Sequence, residues 1–504
     1  MARLLFQKVL IANRGEISVR VQRACHQLGI QTVAVYSDAD AQALHVRMAN
    51  EGVRLGPAPS TESYLKGDRI IQAAKDTGAE AIHPGYGFLS ENADFARAVE
   101  AAGIVWIGPS PEAMDQMGDK VAARANAEAA GVPVAPGSDA LKDADDAAAQ
   151  AERIGYPVML KASAGGGGIG MRIVRSADEI RGQFEDATKQ AASAFGVPDV
   201  FMEKFIERPR HIEVQILADG HGNVLHLYER ECSIQRRHQK LIEEAPSPAL
   251  SQEEREELGA KAVKLAEHVG YRNAGTLEFL FERGPNGEPN FYFNEMNTRL
   301  QVEHPVTELV TGVDLVHLQL RVAAGEKLDL QQSDIQLNGH AFEARINAED
   351  PFQGFAPSPG PVHGLRLPSG SGVRVDRGID VGWTVPAVYD SMVLKLLTHG
   401  RDRDEAADRM LAALDDLTID GFTTNQAFHK RLFAHTVFRA ADLSTRFLEE
   451  HPLMAPDLDA QRRAVAIAFA LKDRSGGGLP GIHLQQRTPE VVAARPATRN
   501  WGSA

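Results

Sequence analysis

The sequence predicts an α/β protein: a doubly wound parallel sheet at the N-terminal end, a small inserted module behind it, and further strand-rich structure beyond. Three observations carry this. Apolar runs alternate with segments of helical spacing from Lys8 to Ile107, a glycine run at 165–170 stands between two strand-like segments, and 504 residues at about 150 per domain suggest roughly three domains.

Lys8 to Ala12 is a short apolar run leading into Asn13-Arg14-Gly15-Glu16, after which Ile17, Val21, Ala24, Cys25 and Leu28 recur at helical spacing until Gly29. Thr32 to Tyr36 reads as a second strand. Ile70, Ile71, Ala73 and Ala74 mark a helix face, Ala81-Ile82 a strand before His83-Pro84-Gly85-Tyr86-Gly87-Phe88, and Ile104 to Ile107 another before Gly108-Pro109. Ligands of such a sheet bind beyond the carboxyl ends of its strands, where both glycine-rich turns lie. An Ala-rich helix follows from about Met117. Pro157 to Lys161 and Met171 to Val174 are strands flanking the glycine run, and form the inserted module. His211 to Leu217 and Val224 to Tyr228 alternate polar and apolar, Ser251 to Gly270 is a helix, and Thr276 to Phe281 and Asn290 to Asn297 are strands joined by a turn at Arg283 to Gly287. A last globular part spans roughly 335–449. The tail, 451–504, holds seven basic and four acidic side chains, with Ala460 to Arg474 reading as one helix.

The charge balance excludes some functions. Lys plus Arg number 54 against 68 Asp plus Glu, a net charge of −14 that disfavours a nonspecific nucleic-acid or anionic-membrane binder. Cys25 and Cys232 alone make neither a disulfide framework nor a multi-thiolate zinc site, which points to a reducing compartment and buried packing roles. No window reaches the ~18 apolar residues of a membrane span, so the expectation is a cytoplasmic protein.

Gly165 to Gly170 satisfies GxGxxG, but a dinucleotide fingerprint needs a helix after the loop, and here strands lie on both sides. It is no Walker loop, because Met171-Arg172 stands where Lys-Ser/Thr is required. Strand, glycine loop and strand make a flap whose amides can close over phosphates; the plain alternative is a surface hairpin. Lys161, just before it, can neutralise phosphate oxygens as a point charge.

From Asn290 to Glu303 the odd positions Glu295, Asn297, Arg299, Gln301 and Glu303 are polar and the even ones mostly apolar. If the segment stays extended, these five groups point to one side, and that face begins with Phe291 and Phe293. Glu295 and Asn297, with Glu278 on the preceding strand, supply the all-oxygen set that suits Mg²⁺ or Mn²⁺; the alternative is a solvated strand face with chance ion pairs. Arg299, Gln301 and Glu303 suit a small oxyanion such as bicarbonate, Arg as a two-donor fork and Glu as a proton acceptor.

Several motifs together resemble the ATP-grasp biotin carboxylases, subunits of acetyl-CoA and other acyl-CoA carboxylases. They are Ala12-Asn13-Arg14-Gly15-Glu16-Ile17, His83 to Asn92, Met117 to Lys120, Glu231 to Lys240, Phe293 to Pro305 and Arg345 to Pro351, within about residues 6–446. The resemblance implies an N-terminal doubly wound parallel-sheet (Rossmann-like) domain at 1–118, an ATP-grasp domain at 119–332 with an inserted mobile lid at about 135–205, a C-terminal α+β domain at 333–449 and a basic tail at 450–504. It implies ATP-dependent carboxylation of biotin: ATP phosphorylates bicarbonate to carboxyphosphate, which yields CO2 and phosphate, and the phosphate removes the ureido proton of biotin so that the enolate captures CO2.

Carried over position by position, the resemblance assigns ATP to Lys120, Lys161, Gly165, Gly166, Gly167, Gly168, Glu203, Lys204, Ile206, His211, Gln235 and His238. Two Mg²⁺ or Mn²⁺ ions fall to Glu278, Glu295 and Asn297. Bicarbonate falls to Lys240, Arg299, Gln301 and the Val302 amide, with Glu303 as general base and Arg345 stabilising the biotin enolate; Tyr86 would lie near the biotin ring. The implied partners are a biotin carboxyl carrier protein and carboxyltransferase subunits, in a homodimer or larger carboxylase complex. The sole tail lysine, Lys472, lacks the Ala-Met-Lys-Met setting of a biotinylated lysine, so biotin is expected on a separate chain. Ile169 and Ala164 depart from the family's usual Arg or Lys and Gly. Gln27 and Ser371 replace the usual Glu and aromatic at the dimer contact, although Arg23 and Arg374 remain. The alternatives are another bicarbonate-using ATP-grasp ligase, such as a purine-pathway carboxylase or half a carbamoyl-phosphate synthetase, the corresponding subunit of a pyruvate or 2-oxo acid carboxylase, and a catalytically weak assembly subunit.

Overall fold

The computed structural model describes residues 6–162 and 171–454. The glycine flap and Ile169, and the expected helix at Ala460 to Arg474, lie outside those residues.

The N-terminal sheet is parallel throughout, as predicted. Its strands β1 (Lys8–Ile11), β2 (Gln31–Ser37), β3 (Glu51–Gly56), β4 (Ala81–His83) and β5 (Val105–Trp106) take the order β3-β2-β1-β4-β5. Helices α1 (Gly15–Gln27), α2 (Leu44–Met48), α3 (Gly67–Thr77) and α4 (Ala93–Ala101) alternate with them. Leu10, Val33, Ile70, Val99 and Trp106 pack on one face; on the other, Ile17 and Val21 of α1 join a core that also takes Leu315 and Leu320. The strand order reverses its direction of winding between β1 and β4, so the loops after these strands meet at the switch point. Asn13 ties them together, donating from Nδ2 to the carbonyls of Pro84 and Tyr86, each at 2.7 Å.

Helix α5 (Pro111–Gly118) starts from a Ser110 cap with Pro111 in its first turn, and α6 (Lys120–Ala129) from an Asp119 cap whose carboxylate accepts the Ala122 amide. The two strands expected on either side of the glycine run form an antiparallel pair, β6 (Val158–Ala162) with β7 (Arg172–Val174); β8 (Val200–Lys204) completes a three-stranded sheet. Helices α7 (Ala144–Ile154) and α8 (Ala177–Phe195) cover it around a core of its own that includes Leu160, Ile180, Phe184 and Met202.

The centre is one eight-stranded antiparallel sheet. It comprises β9 (Arg210–Ala218), β10 (Val224–Arg236), β11 (Gln239–Ala245), β12 (Asn273–Arg283), β13 (Pro289–Asn297) and β14 (His340–Asn347). The short pairs β15 (Glu349–Asp350) with β16 (Ala356–Pro357), and β17 (Gly364–Arg366) with β20 (Thr418–Asp420), lie outside it. Its last strands are β18 (Val373–Arg377) and β19 (Met392–Gly400), giving the order β13-β12-β9-β10-β11-β14-β19-β18. Helix α9 (Gln252–His268), started by a Ser251–Glu254 capping box, covers the face carrying Ile212, Val214, Leu277 and Phe279. Helices α10 (His304–Thr311) and α11 (Leu315–Ala323) follow β13, while α12 (Arg403–Asp416) packs on β14 and β19. Among the described residues no helix is long and apolar enough to cross a membrane.

One expectation is corrected by the register. Glu278 lies opposite Glu295, but the next residue, Phe279, lies opposite Phe293, so Asn294 is an extra residue in β13. A bulge of this kind reverses the side-chain alternation. Phe291 and Phe293 therefore enter the α9 core with Met296, while Glu295 and Asn297 face the other way; the polar and aromatic positions do not share a face. The strand also stops at Asn297, so alternation does not gather Arg299, Gln301 and Glu303.

Candidate active site

A row of ionisable side chains crosses the central sheet on the face away from α9. Register places Glu295 of β13 opposite Glu278 of β12, Glu278 opposite Glu213 of β9, and Glu213 opposite Arg230 of β10. Further along, Glu243 of β11 is opposite Glu343 of β14, and Arg345 is opposite Lys395 of β19. Most of these groups are buried, so each carboxylate needs a cation or a proton.

Lys240 sits at the middle. Its ammonium donates to Glu278 and Glu303, both at 2.9 Å, and closely to Glu213. Arg230, fully buried, takes the other oxygen of Glu213 at 3.1 Å. Burial would raise the Glu213 and Glu278 carboxyls, but Lys240 and His211 reverse this and hold both well below the usual range. His211 lies 3.0 Å from Glu213 and 3.2 Å from Glu278. Burial lowers its pKa, Glu278 and Glu213 more than restore it against Lys240, and it is pushed up to about 9, so the imidazole is a cation at neutral pH. Glu303 lies 2.9 Å from both Lys240 and Arg345; despite burial and the charge of Glu213, these cations keep it ionised.

The loop after β13 converges by hydrogen bonding. Arg299 donates to Asn297 Oδ1 (2.8 Å), Gln301 Oε1 (2.9 Å) and Glu91 (3.0 Å), and Gln301 donates to Asn297 Oδ1 (2.8 Å) and Glu278 (3.3 Å). Leu300 anchors the loop in the core shared with α1. Gln301, Val302 and Glu303 lead into the N-terminal, positive end of the α10 dipole, where the His304 and Val306 amides already donate to the Gln301 and Glu303 carbonyls. The buried Lys395 ammonium donates to the Val302 carbonyl at 2.8 Å and pairs with Glu16 at 3.3 Å. Tyr86, from the switch-point loop, donates to the other oxygen of Glu16.

A separate cavity between β8, α6 and β13 is lined by Lys120, Arg124, Lys161, Phe201, Glu203, Phe293, Asn294 and Glu295. Lys161 pairs closely with Glu203. Lys204 points elsewhere, donating to the carbonyls of Gly155 and Tyr156 at 2.9 Å, and Ile206 is buried. Gln235 is half-buried and donates to the Cys232 carbonyl, while His238 is exposed at the β10–β11 hairpin tip, in a left-handed backbone conformation.

The donor set fits a hard divalent cation at two of the three expected ligands. Glu278 and Glu295 are direct neighbours; desolvation in the cluster and the facing Glu278 charge push the Glu295 carboxyl up, even though its outer edge is open to solvent. A cation between them would relieve that repulsion. Asn297 joins only if a donor turns aside, because its Oδ1 already accepts from Arg299 and Gln301. His211, Glu213 and Glu278 also present ligand atoms within 4.8 Å of one another, but Lys240 and Arg230 already neutralise Glu213.

Comparison with known proteins accounts for almost the whole described chain. Residues 5–114 match the family model of the biotin carboxylase N-terminal domain, 119–331 that of the carbamoyl-phosphate synthase L chain ATP-binding domain, and 343–450 that of the biotin carboxylase C-terminal domain. The biotin carboxylase of Pseudomonas aeruginosa is 52% identical over 448 residues, covering 88% of this chain and 98% of that protein. The chain belongs to the biotin carboxylase family. Its activity is thus that of an ATP-dependent ligase carboxylating biotin. A pyruvate carboxylase subunit of Methanothermobacter thermautotrophicus is 54% identical over 463 residues, 92% of each chain. The biotin carboxylase domain dimer of Hydrogenobacter thermophilus 2-oxoglutarate carboxylase, solved with MgADP, ADP and bicarbonate, superposes with a TM-score of 0.84 at 49% identity, covering 90% of this chain and 99% of that one.

Within this biotin carboxylase fold, Lys240, His211, Glu278, Arg299, Gln301, Glu303 and Arg345 form one connected network, and Lys120, Lys161, Glu203 and Glu295 line one cavity. Sequence reading did not single out Arg124, Glu213, Arg230, Glu243, Glu343 and Lys395. Arg124 lies one helical turn from Lys120, a spacing that was available. The others sit in strands 100 or more residues apart in some cases, and only the sheet register brings them together.

Proposed function

We propose that this chain is the biotin-carboxylating subunit of a multi-subunit acyl-CoA carboxylase, acting on biotin borne by a separate carrier protein and passing it to carboxyltransferase subunits. The observation that carries the reading is Glu303, ionised and held between Lys240 and Arg345. Lys240, Arg299, Gln301 and the Val302 amide hold bicarbonate, and Glu303 takes its proton as ATP phosphorylates it. Arg345 presents its guanidinium to the oxygen on which negative charge develops when biotin is deprotonated, and Tyr86 borders that ring. Lys120, Lys161, Glu203, Ile206, Gln235, His238 and cationic His211 serve the nucleotide, while the Lys204 ammonium, spent on the Gly155 and Tyr156 carbonyls, reaches it only if it leaves them. Glu278 and Glu295, with Asn297, hold Mg²⁺ or Mn²⁺, which supplies charge neutralisation for phosphoryl transfer.

A second reading, a subunit of a 2-oxo acid carboxylase, is favoured by the pyruvate and 2-oxoglutarate carboxylase relatives. A tagged pull-down from the native cell, followed by assay of the captured carboxyltransferase with acetyl-CoA, propionyl-CoA and pyruvate, decides between them. The purified chain is expected to release ADP in a bicarbonate- and biotin-dependent manner, to lose this with a chelator and to regain it with Mg²⁺ or Mn²⁺. Bicarbonate-independent turnover, or amine-dependent turnover without biotin, would overturn both readings.

Glu91 supports Arg299 from the loop between β4 and α4: the Arg299 Nε bond at 3.0 Å joins groups 208 residues apart, and Glu91 is half exposed. An ion pair this open is worth up to about 1 kcal/mol. Glu91→Ala is expected to raise the KM for bicarbonate about two- to fivefold with the KM for ATP unchanged, as read from initial rates. Arg23, Gln27 and Ser371 are exposed, and Arg374 is held inside the chain by Glu308 and Asp376, which argues against this surface as a dimer contact; sedimentation of the purified chain distinguishes a homodimer from a subunit that assembles only in a larger carboxylase complex.

A further inference from the structure

Two buried carboxyl groups beside Arg345 lack the partners that buried carboxylates require. Glu243 on β11 and Glu343 on β14 are fully buried and lie directly opposite each other in the antiparallel register, where side chains on one face come within about 5 Å at Cβ. One oxygen of Glu243 accepts from Arg345, at 2.7 Å from Nε and 2.6 Å from Nη2. Its other oxygen and both oxygens of Glu343 accept no hydrogen bond among the described residues.

The charges around the pair do not permit two carboxylates. Arg345 is shared with Glu303, and Lys395, the cation that faces Glu343, makes no hydrogen bond to it: it pairs with Glu16, donates to the Val302 carbonyl and is also drawn on by Asp376 of β18. Lys240 is committed to Glu213, Glu278 and Glu303, and Tyr86 donates to Glu16. Two like charges facing each other without solvent cannot both ionise near neutral pH, whereas a single proton turns one member into a donor and the other into its acceptor.

We propose that Glu243 and Glu343 share one proton and together form the positioning support of Arg345. The inference rests on the reading of Arg345 as the group that faces biotin. Arg345 has two carboxylate partners, Glu303 and Glu243. When Glu303 takes the bicarbonate proton its hold weakens, and Glu243 alone keeps the guanidinium aimed. The proton on Glu343 keeps the pair at one negative charge, so Glu243 stays with Arg345 and is not driven away by its neighbour. Burial pushes the Glu243 carboxyl up to about 7 against the pull of Arg345, and burial likewise pushes the Glu343 carboxyl well up. A carboxyl raised in the folded state favours folding below its unfolded pKa, and that contribution fades as pH rises through the folded value. The shared proton is therefore held at acidic pH and lost as pH rises through the folded value.

The test uses the full chain with free biotin. Glu243→Gln is expected to lower kcat for biotin carboxylation about 10- to 100-fold while the KM for ATP stays within twofold, so that carboxylation falls much further than bicarbonate-dependent ADP release without biotin. Glu343→Gln, which carries a permanent donor, is expected to lower kcat about three- to tenfold and to move the alkaline limb of the pH profile upward by at least one pH unit. Infrared spectra should show a buried carboxylic acid carbonyl band in the wild type at pH 7 that Glu343→Gln lacks. Absence of that band from the wild type, an unmoved alkaline limb, or an equal fall of both activities in Glu243→Gln would overturn the inference. If the wild type does not carboxylate biotin at all, the functional reading falls, while the infrared band still decides the shared proton.

Discussion

Glu303→Gln is expected to lower the rate of carboxybiotin formation by about 10²- to 10⁴-fold, the usual contribution of a positioned general base. The substitution is nearly isosteric, and both cations keep other partners: Lys240 retains Glu213 and Glu278, and Arg345 retains Glu243. Neither is left as an unpaired buried charge, so the fold should survive and the loss should be one of chemistry. The KM for ATP should be little changed, since none of the hydrogen bonds at the Lys120–Lys161–Glu203 cavity involves Glu303. Single-turnover formation of carboxybiotin at saturating ATP and bicarbonate is the direct measurement. A variant within tenfold of the wild type would remove Glu303 from the role of base.

Lys395→Met is expected to destabilise the protein by about 3–5 kcal/mol, the cost of taking one partner out of a buried ion pair. Lys395 is fully buried, so solvent does not screen the effect. Burial lowers its pKa, but the charges around it, Glu16 first and Asp376 among them, more than restore it and the ammonium stays charged. Methionine would fill a similar volume while leaving Glu16 against Tyr86 alone and the Val302 carbonyl without its donor. The substitution also frees the peptide leading into α10, so the KM for bicarbonate should rise alongside the loss of stability. Urea unfolding followed by circular dichroism reads the first and initial rates the second. A loss below about 1 kcal/mol would mean that Glu16 finds another partner or a proton.

The candidate site was legible in the sequence only in pieces. Glu278, Glu295, Asn297, Arg299, Gln301 and Glu303 stand out because ionisable groups crowd a segment that otherwise reads as strand. Strand alternation nevertheless misplaces them. The extra residue Asn294 reverses the alternation and sends Phe291 and Phe293 into the core, and beyond Asn297 the side chains converge through mutual hydrogen bonds in a loop. A bulge leaves no mark in hydrophobic periodicity, which averages over it.

By itself the sequence determined the local matters: the alternating strands and helices of the N-terminal sheet, the helix that begins at Ser251, the two strands that flank the glycine run, and the motifs that identify the family. These depend on neighbours a few residues apart. Only the tertiary structure decided which buried charge faces which. Glu213 meets Lys240, Glu243 meets Glu343, and Arg345 meets Lys395 because strands far apart in the chain align in one register, and a shift of one residue would turn each pair to the opposite face. In a desolvated cluster the energy of an ion depends steeply on its nearest counter-ions, so the protonation states on which the chemistry depends are properties of the assembled sheet.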